Sequence, residues 1–256
     1  MQYQGGKSRI ANNIKEVILD EISRWKVENS QTISTGYNGE CRERESNGTF
    51  VSLFCGTCSV ESKLSPFFNK VICNDINEYL IEMLSGVQKA YELPENISDE
   101  QYKYIRNHKD EDKVLTGFVA FGCSFGGKFF GGYARNKTNT NYALQSKKSL
   151  LKDMTTLETA EFTCKDYREV VIPKGSVVYC DPPYDNTTPY SSIEKFNSQE
   201  FWEYMRKISQ DNLVFISEQN APDDFECIWE KPFTRTLDRN KDNQFKVTEK
   251  LFKWKG

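Results

Sequence analysis

Five short runs rich in β-branched and aromatic residues recur along the chain, at 49–54, 70–73, 161–164, 176–180 and 212–217. Between most of them the apolar residues change to helical spacing. Ile10, Ile14, Val17, Ile18 and Ile22 share one face of a helix expected over 9–25. Further helices are expected after Gly56 through Leu64, from about 78 to 91, and near 198–210. Strands alternating with helices need crossover connections, and crossovers give a mostly parallel sheet covered on both faces. The fold class is therefore α/β. The polar stretch 27–48 reads as a loop. The stretch 95–152 reads as an insertion, so that 1–94 and 153–256 form one core around it.

At 256 residues the chain can bury such a core without covalent staples. Its eight cysteines, at 41, 55, 58, 73, 123, 164, 180 and 227, are scattered and read as reduced. Cys55 and Cys58 form a C-x-x-C, but no second pair accompanies it and the lone histidine, His108, lies in a charged stretch, so no metal is expected. No apolar run nears the ~18–20 residues of a membrane span. The start, Met1 to Lys7, lacks the apolar core of a secretory signal. A cytoplasmic protein is expected, with no membrane partner.

The net charge of −3 hides an uneven distribution. From 113 to 152 stand Lys113, Lys128, Arg135, Lys137, Lys147, Lys148 and Lys152, with no acidic residue among them. The last stretch, 231–256, is also basic, and the remainder is strongly acidic. A concentrated positive stripe suits phosphate binding. Within it, 121–135 alternates glycines with aromatics, which could stack on bases or anchor the loop to the core. Lys128, Arg135 and Lys137 are candidates to reach phosphates. Arg235 and Arg239, in a C-terminal piece expected to form a hairpin, are candidates for phosphates or base edges.

Three acids follow strand runs: Asp75, Asp166 and Asp181. In an open parallel sheet, ligands bind beyond the carboxyl ends of the strands. Asp75 lies 19 positions after Gly56, close to the ~20 between a phosphate-type glycine turn and an acid that takes ribose hydroxyls. The turn has one glycine, which suits a nucleoside cofactor without pyrophosphate. Asp181 begins Asp-Pro-Pro-Tyr. Neither proline has an N–H, so the corner offers acceptors, the Asp181 carboxylate and the Pro182 carbonyl, beside the flat face of Tyr184. Two acceptors drawing on the hydrogens of a planar exocyclic amine favour a pyramidal nitrogen and free its lone pair to attack. Catalysis at such a site comes largely from positioning and preorganised charge.

Asp-Pro-Pro-Tyr at 181–184 resembles the signature of amino-methyltransferases that act on base amines. Tyr3-Gln4-Gly5-Gly6-Lys7-Ser8, the block at 50–56, Cys73-Asn74-Asp75-Ile76-Asn77 and the block at 165–169 complete the likeness, in this order, to the Dam-type DNA adenine-N6 methyltransferases of bacteria and phages. The resemblance implies a Rossmann-like S-adenosylmethionine-dependent methyltransferase sheet with an inserted DNA-recognition subdomain at 95–152. It implies that Tyr3, Lys7, Phe54, Gly56, Asp75, Asp166 and Asp181 surround S-adenosylmethionine, with Lys7 near its methionine carboxylate and Asp166 at its adenine amine. Asp181, Pro182 and Tyr184 would hold an adenine flipped from double-stranded DNA. Two departures stand out: Cys58 replaces a second glycine, and the 27–48 loop is long. Cys180 is expected to point into the core.

Amine geometry alone leaves N4-cytosine methylation, RNA adenine methylation and a non-catalytic DNA-binding module open. The motif order favours adenine in DNA. The sequence is compatible with a cognate restriction endonuclease as partner and with either a monomer or a weak dimer.

Overall fold

The computed structural model describes residues 1, 3–29, 48–183, 196–236 and 244–256, except the side chains of 28–29, 233–236 and 244–246. Among these residues the strands are β1 Thr49–Ser52, β2 Lys70–Asn74, β3 Glu161–Thr163, β4 Val177–Cys180, β5 Leu213–Glu218, β6 Phe225–Thr236 and β7 Gln244–Trp254. They form one sheet in the order β3-β2-β1-β4-β5-β7-β6. The first five strands pair in parallel. β7 lies antiparallel between β5 and β6.

Each central strand sends alternate residues into two cores, as the period-2 geometry of a strand requires. In β4, Val177 and Tyr179 enter one cluster, and Val178 and Cys180 the other. Phe50, Val71, Cys73 and Phe215 share the first face; Val51, Ile72, Val214 and Ile216 share the second. Cys180 is buried against Met205 of the helix α7 Ser198–Ser209, as its place in the alternation predicts. Sheets buried on both faces have uniformly apolar strands, which is why these read as short unbroken runs.

The remaining helices are α1 Ala11–Asn29, α2 Glu61–Leu64, α3 Glu78–Gln88, α4 Asp99–Asn107, α5 Lys113–Gly122 and α6 Tyr142–Met154. Side chains of Asn77, Ser98, Asp112, Asn141 and Asn197 cap five of the helix starts, each accepting a free amide of the first turn. Ser98 and Gln101 complete a reciprocal capping box. α1 runs past the expected end at 25, because neither glycine nor proline interrupts it before Asn29 and Lys26 complements the last-turn carbonyls. α6 was not anticipated: Ala143, Leu150 and Met154 form its buried stripe, diluted in sequence by the lysines between them.

The stretch 95–152 packs its apolar residues into the same cluster as the sheet. Tyr102, Phe118, Phe121 and Leu150 are buried with Phe50 and Val71. α5 approaches α3 so closely at Gly117 that a Cβ there would collide with the Tyr79 carbonyl.

Candidate active site

β1 pairs with β2 on one side and with β4 on the other, so the carboxyl ends of three adjacent parallel strands form one rim. Gly56 follows β1, Asp75 follows β2 and Asp181 follows β4. β3, on the far side of β2, delivers Asp166 to the same edge. The order of the strands thus brings together four positions up to 125 residues apart in sequence.

At the β1 end the chain turns through Gly56, with φ +51°. Its amide donates to Asp75 Oδ2 at 3.1 Å, and Asn77 N–H donates to Oδ1 at 2.9 Å. Burial pushes the Asp75 carboxyl above its usual range, and these amide donors work against that rise. The Tyr3 ring lies over Gly56, near enough that a Cβ would meet it at 3.1 Å, and packs on Phe121 of α5 at 5.2 Å between centroids. Cys58 also holds a left-handed backbone, φ +57°. The residue standing where a second glycine was expected has kept a conformation that costs a side-chain-bearing residue about 1–2 kcal/mol. Cys55 and Cys58 are both buried free thiols, pushed up by loss of hydration.

Asp181 sits in a buried cluster of charges. Lys7 Nζ lies 2.7 Å from Asp181 Oδ1 and 3.4 Å from Glu249 Oε2 of β7. The Lys7 and Glu249 side chains are 4% and 7% exposed, and that of Asp181 18%. Lys7 was expected beside a methionine carboxylate; its ammonium rests on Asp181 itself. Glu249 had no role in the sequence reading, since nothing local marks it. Pro182 is buried and Pro183 exposed; Tyr184 lies outside the described residues.

A second buried acid had also escaped notice. Glu61, at the start of α2, accepts Ser52 Oγ at 2.7 Å and Val60 N–H at 3.2 Å. Burial pushes its carboxyl up to about 7, with Asp181 adding a smaller repulsion. Its place five residues beyond Gly56, before an amphipathic turn, is an ordinary helix-start position and carried no other signal.

Asp166 caps a single helical turn at Tyr167–Glu169. Arg168 takes both of its oxygens: backbone N–H and Nε on Oδ1 at 2.9 and 2.8 Å, Nη2 on Oδ2 at 3.0 Å. The Arg168 guanidinium holds this carboxyl below its usual range. Oδ2 keeps a lone pair for a further donor. Phe54 packs against Tyr167, Phe201 and Phe196 at 5.3, 6.0 and 6.3 Å, forming an aromatic wall next to that turn.

The basic residues separate into distinct situations. Lys128 and Lys137 are exposed. Arg135 is exposed as well, but its Nη2 lies 2.7 Å from an Asp99 oxygen and its guanidinium covers the Tyr133 ring. Phe129 and Phe130 anchor the loop: Phe129 packs on Tyr79 and Phe121, and Phe130 on Tyr102. Arg235 belongs to β6, paired with Phe245, although its side chain is outside the description; Arg239 lies wholly outside it. His108 ends α4, stacked on Tyr104. Among the described residues no helix is long and apolar enough to cross a membrane.

A model of the D12 class N6 adenine-specific DNA methyltransferases matches residues 3–118 and 123–218, a span holding Tyr3, Lys7, Gly56, Asp75, Asp166 and Asp181. The chain belongs to this family. Among curated relatives of this D12 chain, the type II methyltransferase M.FokI of Planomicrobium okeanokoites is 23% identical over 215 residues. That match covers 73% of the chain and only 29% of the relative's length. Solved structures similar to the D12 chain include the tRNA (m1A58) methyltransferase TrmI from Aquifex aeolicus, at TM-score 0.36 and 11% identity, covering 82% of this chain and 62% of that one. An S-adenosylmethionine-dependent methyltransferase from Clostridium acetobutylicum has TM-score 0.32 and 12% identity, over 93% and 74% of the two chains. Likenesses this distant assign no residue a role; the topology stands on the strand order itself.

Proposed function

We propose that this D12 chain transfers a methyl group from S-adenosylmethionine to N6 of an adenine swung out of duplex DNA. The observation that carries the reading is the shared rim: a glycine turn tied to Asp75 beside an Asp-Pro-Pro corner whose carboxylate is held by Lys7. The residues suit the cofactor chemically. Gly56 leaves the turn without a side chain, Asp75 offers carboxylate oxygens to a ribose diol, and Asp166 Oδ2 has an acceptor site left for an adenine amine. The carboxylates around Lys7 outnumber its single charge, which suits a cationic donor.

When bound, S-adenosylmethionine would supply an electrophilic methyl on a sulfonium, whose sulfur would retain the bonding pair. The chain's part is to place the amine and manage its protons. Asp181 and the Pro182 carbonyl accept the two N6 hydrogens, which directs the nitrogen lone pair at the methyl carbon. The methylated nitrogen carries one proton too many, and the Asp181 carboxylate is the acceptor within reach. Taking the base out of the stack costs a few kcal/mol, met by contacts of the basic stripe at 113–152 with phosphates. In this reading 95–152 recognises the target, and Tyr184 stacks on the base.

The test is mass spectrometry of nucleosides from DNA incubated with the protein and S-adenosylmethionine. N6-methyladenine is expected with the wild type and should vanish with Asp181→Ala. N4-methylcytosine without N6-methyladenine would overturn the choice of base. Wild-type rates in Asp181→Ala would overturn the site.

A further inference from the structure

We propose that Glu249 is a positioning residue for methyl transfer, holding the Lys7 ammonium against Asp181 so that the Asp181 carboxylate is oriented toward the target amine. The proposal rests on the function proposed above and adds to it a residue from the antiparallel part of the sheet. Three separate elements meet here: the segment before α1 supplies Lys7, the end of β4 supplies Asp181, and β7 supplies Glu249.

The geometry is that of a clamp. An Asp carboxylate on an exposed turn rotates freely, and a lysine stem has several rotatable bonds. At 2.7 Å the ammonium makes a charge-assisted contact to Asp181 Oδ1. Glu249, 3.4 Å from the same nitrogen, restrains the lysine from the β7 side and removes its freedom to swing away. Neighbouring pairings fix Glu249 in turn: Lys250 pairs with Glu218 and Leu251 with Ser217 of β5. Among the described residues, Glu61 of α2 and Tyr179 and Cys180 of β4 are also titratable groups within electrostatic reach of Asp181.

Charge supports the same assignment. Among the described residues, Lys7 stands between two carboxylates, Asp181 and Glu249. Methyl transfer moves positive charge onto N6, next to Asp181. Without Glu249 the Lys7 ammonium would lose one of the two carboxylates it touches among the described residues.

The experiment compares Glu249→Gln, Glu249→Asp, Lys7→Gln and the Lys7→Gln/Glu249→Gln double variant in the full chain. Single-turnover methyl transfer from labelled S-adenosylmethionine to genomic DNA lacking adenine methylation is measured beside cofactor and DNA affinity and the melting temperature. Glu249→Gln should slow transfer by ~10²-fold, the loss typical of a displaced catalytic group, while both affinities stay within about threefold of wild type. Glu249→Asp, which keeps the charge on a shorter stem, should recover at least part of that rate. Because Glu249 acts through Lys7, adding Glu249→Gln to Lys7→Gln should cost little more. Transfer at the wild-type rate in a folded Glu249→Gln protein overturns the proposal, as does a loss that is fully additive with Lys7→Gln. Should Glu249→Gln not fold, Glu249→Asp decides: a slowed transfer with unchanged affinities supports the clamp, and wild-type kinetics refute it. A wild-type protein that methylates no adenine instead removes the underlying reading, and the clamp with it.

Discussion

Gly56 N–H donates to Asp75 Oδ2 at 3.1 Å, joining two residues 19 positions apart across the ends of neighbouring strands. The bond fixes the turn after β1 and aims the carboxylate after β2 in one stroke. Because Asn77 N–H holds the other oxygen, the Asp75 side chain has little freedom left. Replacing Asp75 by Ala should weaken S-adenosylmethionine binding by about 1.5–3 kcal/mol, the worth of hydrogen bonds to a charged group. Titration calorimetry checks this. Unchanged affinity would take Asp75 out of the cofactor site.

The two left-handed residues of that turn should respond differently to substitution. Gly56→Ala introduces a methyl at 3.1 Å from the Tyr3 ring on a backbone with φ +51°. A loss of about 1–2 kcal/mol is expected. Cys58→Gly relieves strain at φ +57° while giving up a buried thiol, so it should be near neutral. Cys58→Ala keeps the strain and still loses the sulfur. Urea unfolding should therefore rank Cys58→Gly above Cys58→Ala; the reverse order would show that burial of the Cβ and the lower unfolded-state entropy of alanine outweigh the backbone strain.

Glu61 predicts how stability follows pH. Its carboxyl rises from an ordinary 4.5 to about 7 on folding. Between those values the folded chain holds a proton that the unfolded chain has lost, so stability falls as pH rises through this window and levels off above it. The fall attributable to Glu61 is about 3 kcal/mol at most. Glu61→Gln still accepts from Ser52 Oγ and should lack that component. Unfolding midpoints at pH 5 and pH 8 should differ less in the variant than in the wild type, and equal differences would place the charge elsewhere.

Salt dependence should distinguish the basic residues of the stretch 113–152. A lysine that contacts a phosphate contributes about one unit to the slope of log K against log salt. Lys128→Ala and Lys137→Ala should each reduce the slope by about that amount. Arg135→Ala should reduce it less, because Asp99 already partly neutralises the guanidinium. Equal effects from all three would mean that the Arg135–Asp99 pair opens on DNA.

Much of the architecture could be read along the chain. Strand runs such as 70–73 and 176–180 carry their own signal, since a strand buried on both faces must be apolar throughout. The acids after them marked the rim because, in a parallel sheet, carboxyl ends share an edge. Cys180 was assigned to the core by alternation alone, and it is buried against Met205. The basic stripe yielded less: it showed where positive charge collects, but not that Asp99 would take Arg135.

What the linear pattern determined is everything governed by near neighbours: which segments are strands, where they end, and which residue types those ends present. Tertiary structure alone decided which charges meet. β7 slots antiparallel between β5 and β6, a choice that no periodicity encodes, and only that placement brings Glu249 to Lys7. Arg135 likewise meets Asp99, 36 positions earlier, only through the packing of the helices and loops between them. Hydrophobic periodicity is a local property that the backbone geometry imposes on every strand and helix. An ion pair between positions 7 and 249 exists only once the packing of the whole sheet has brought them within a few ångströms.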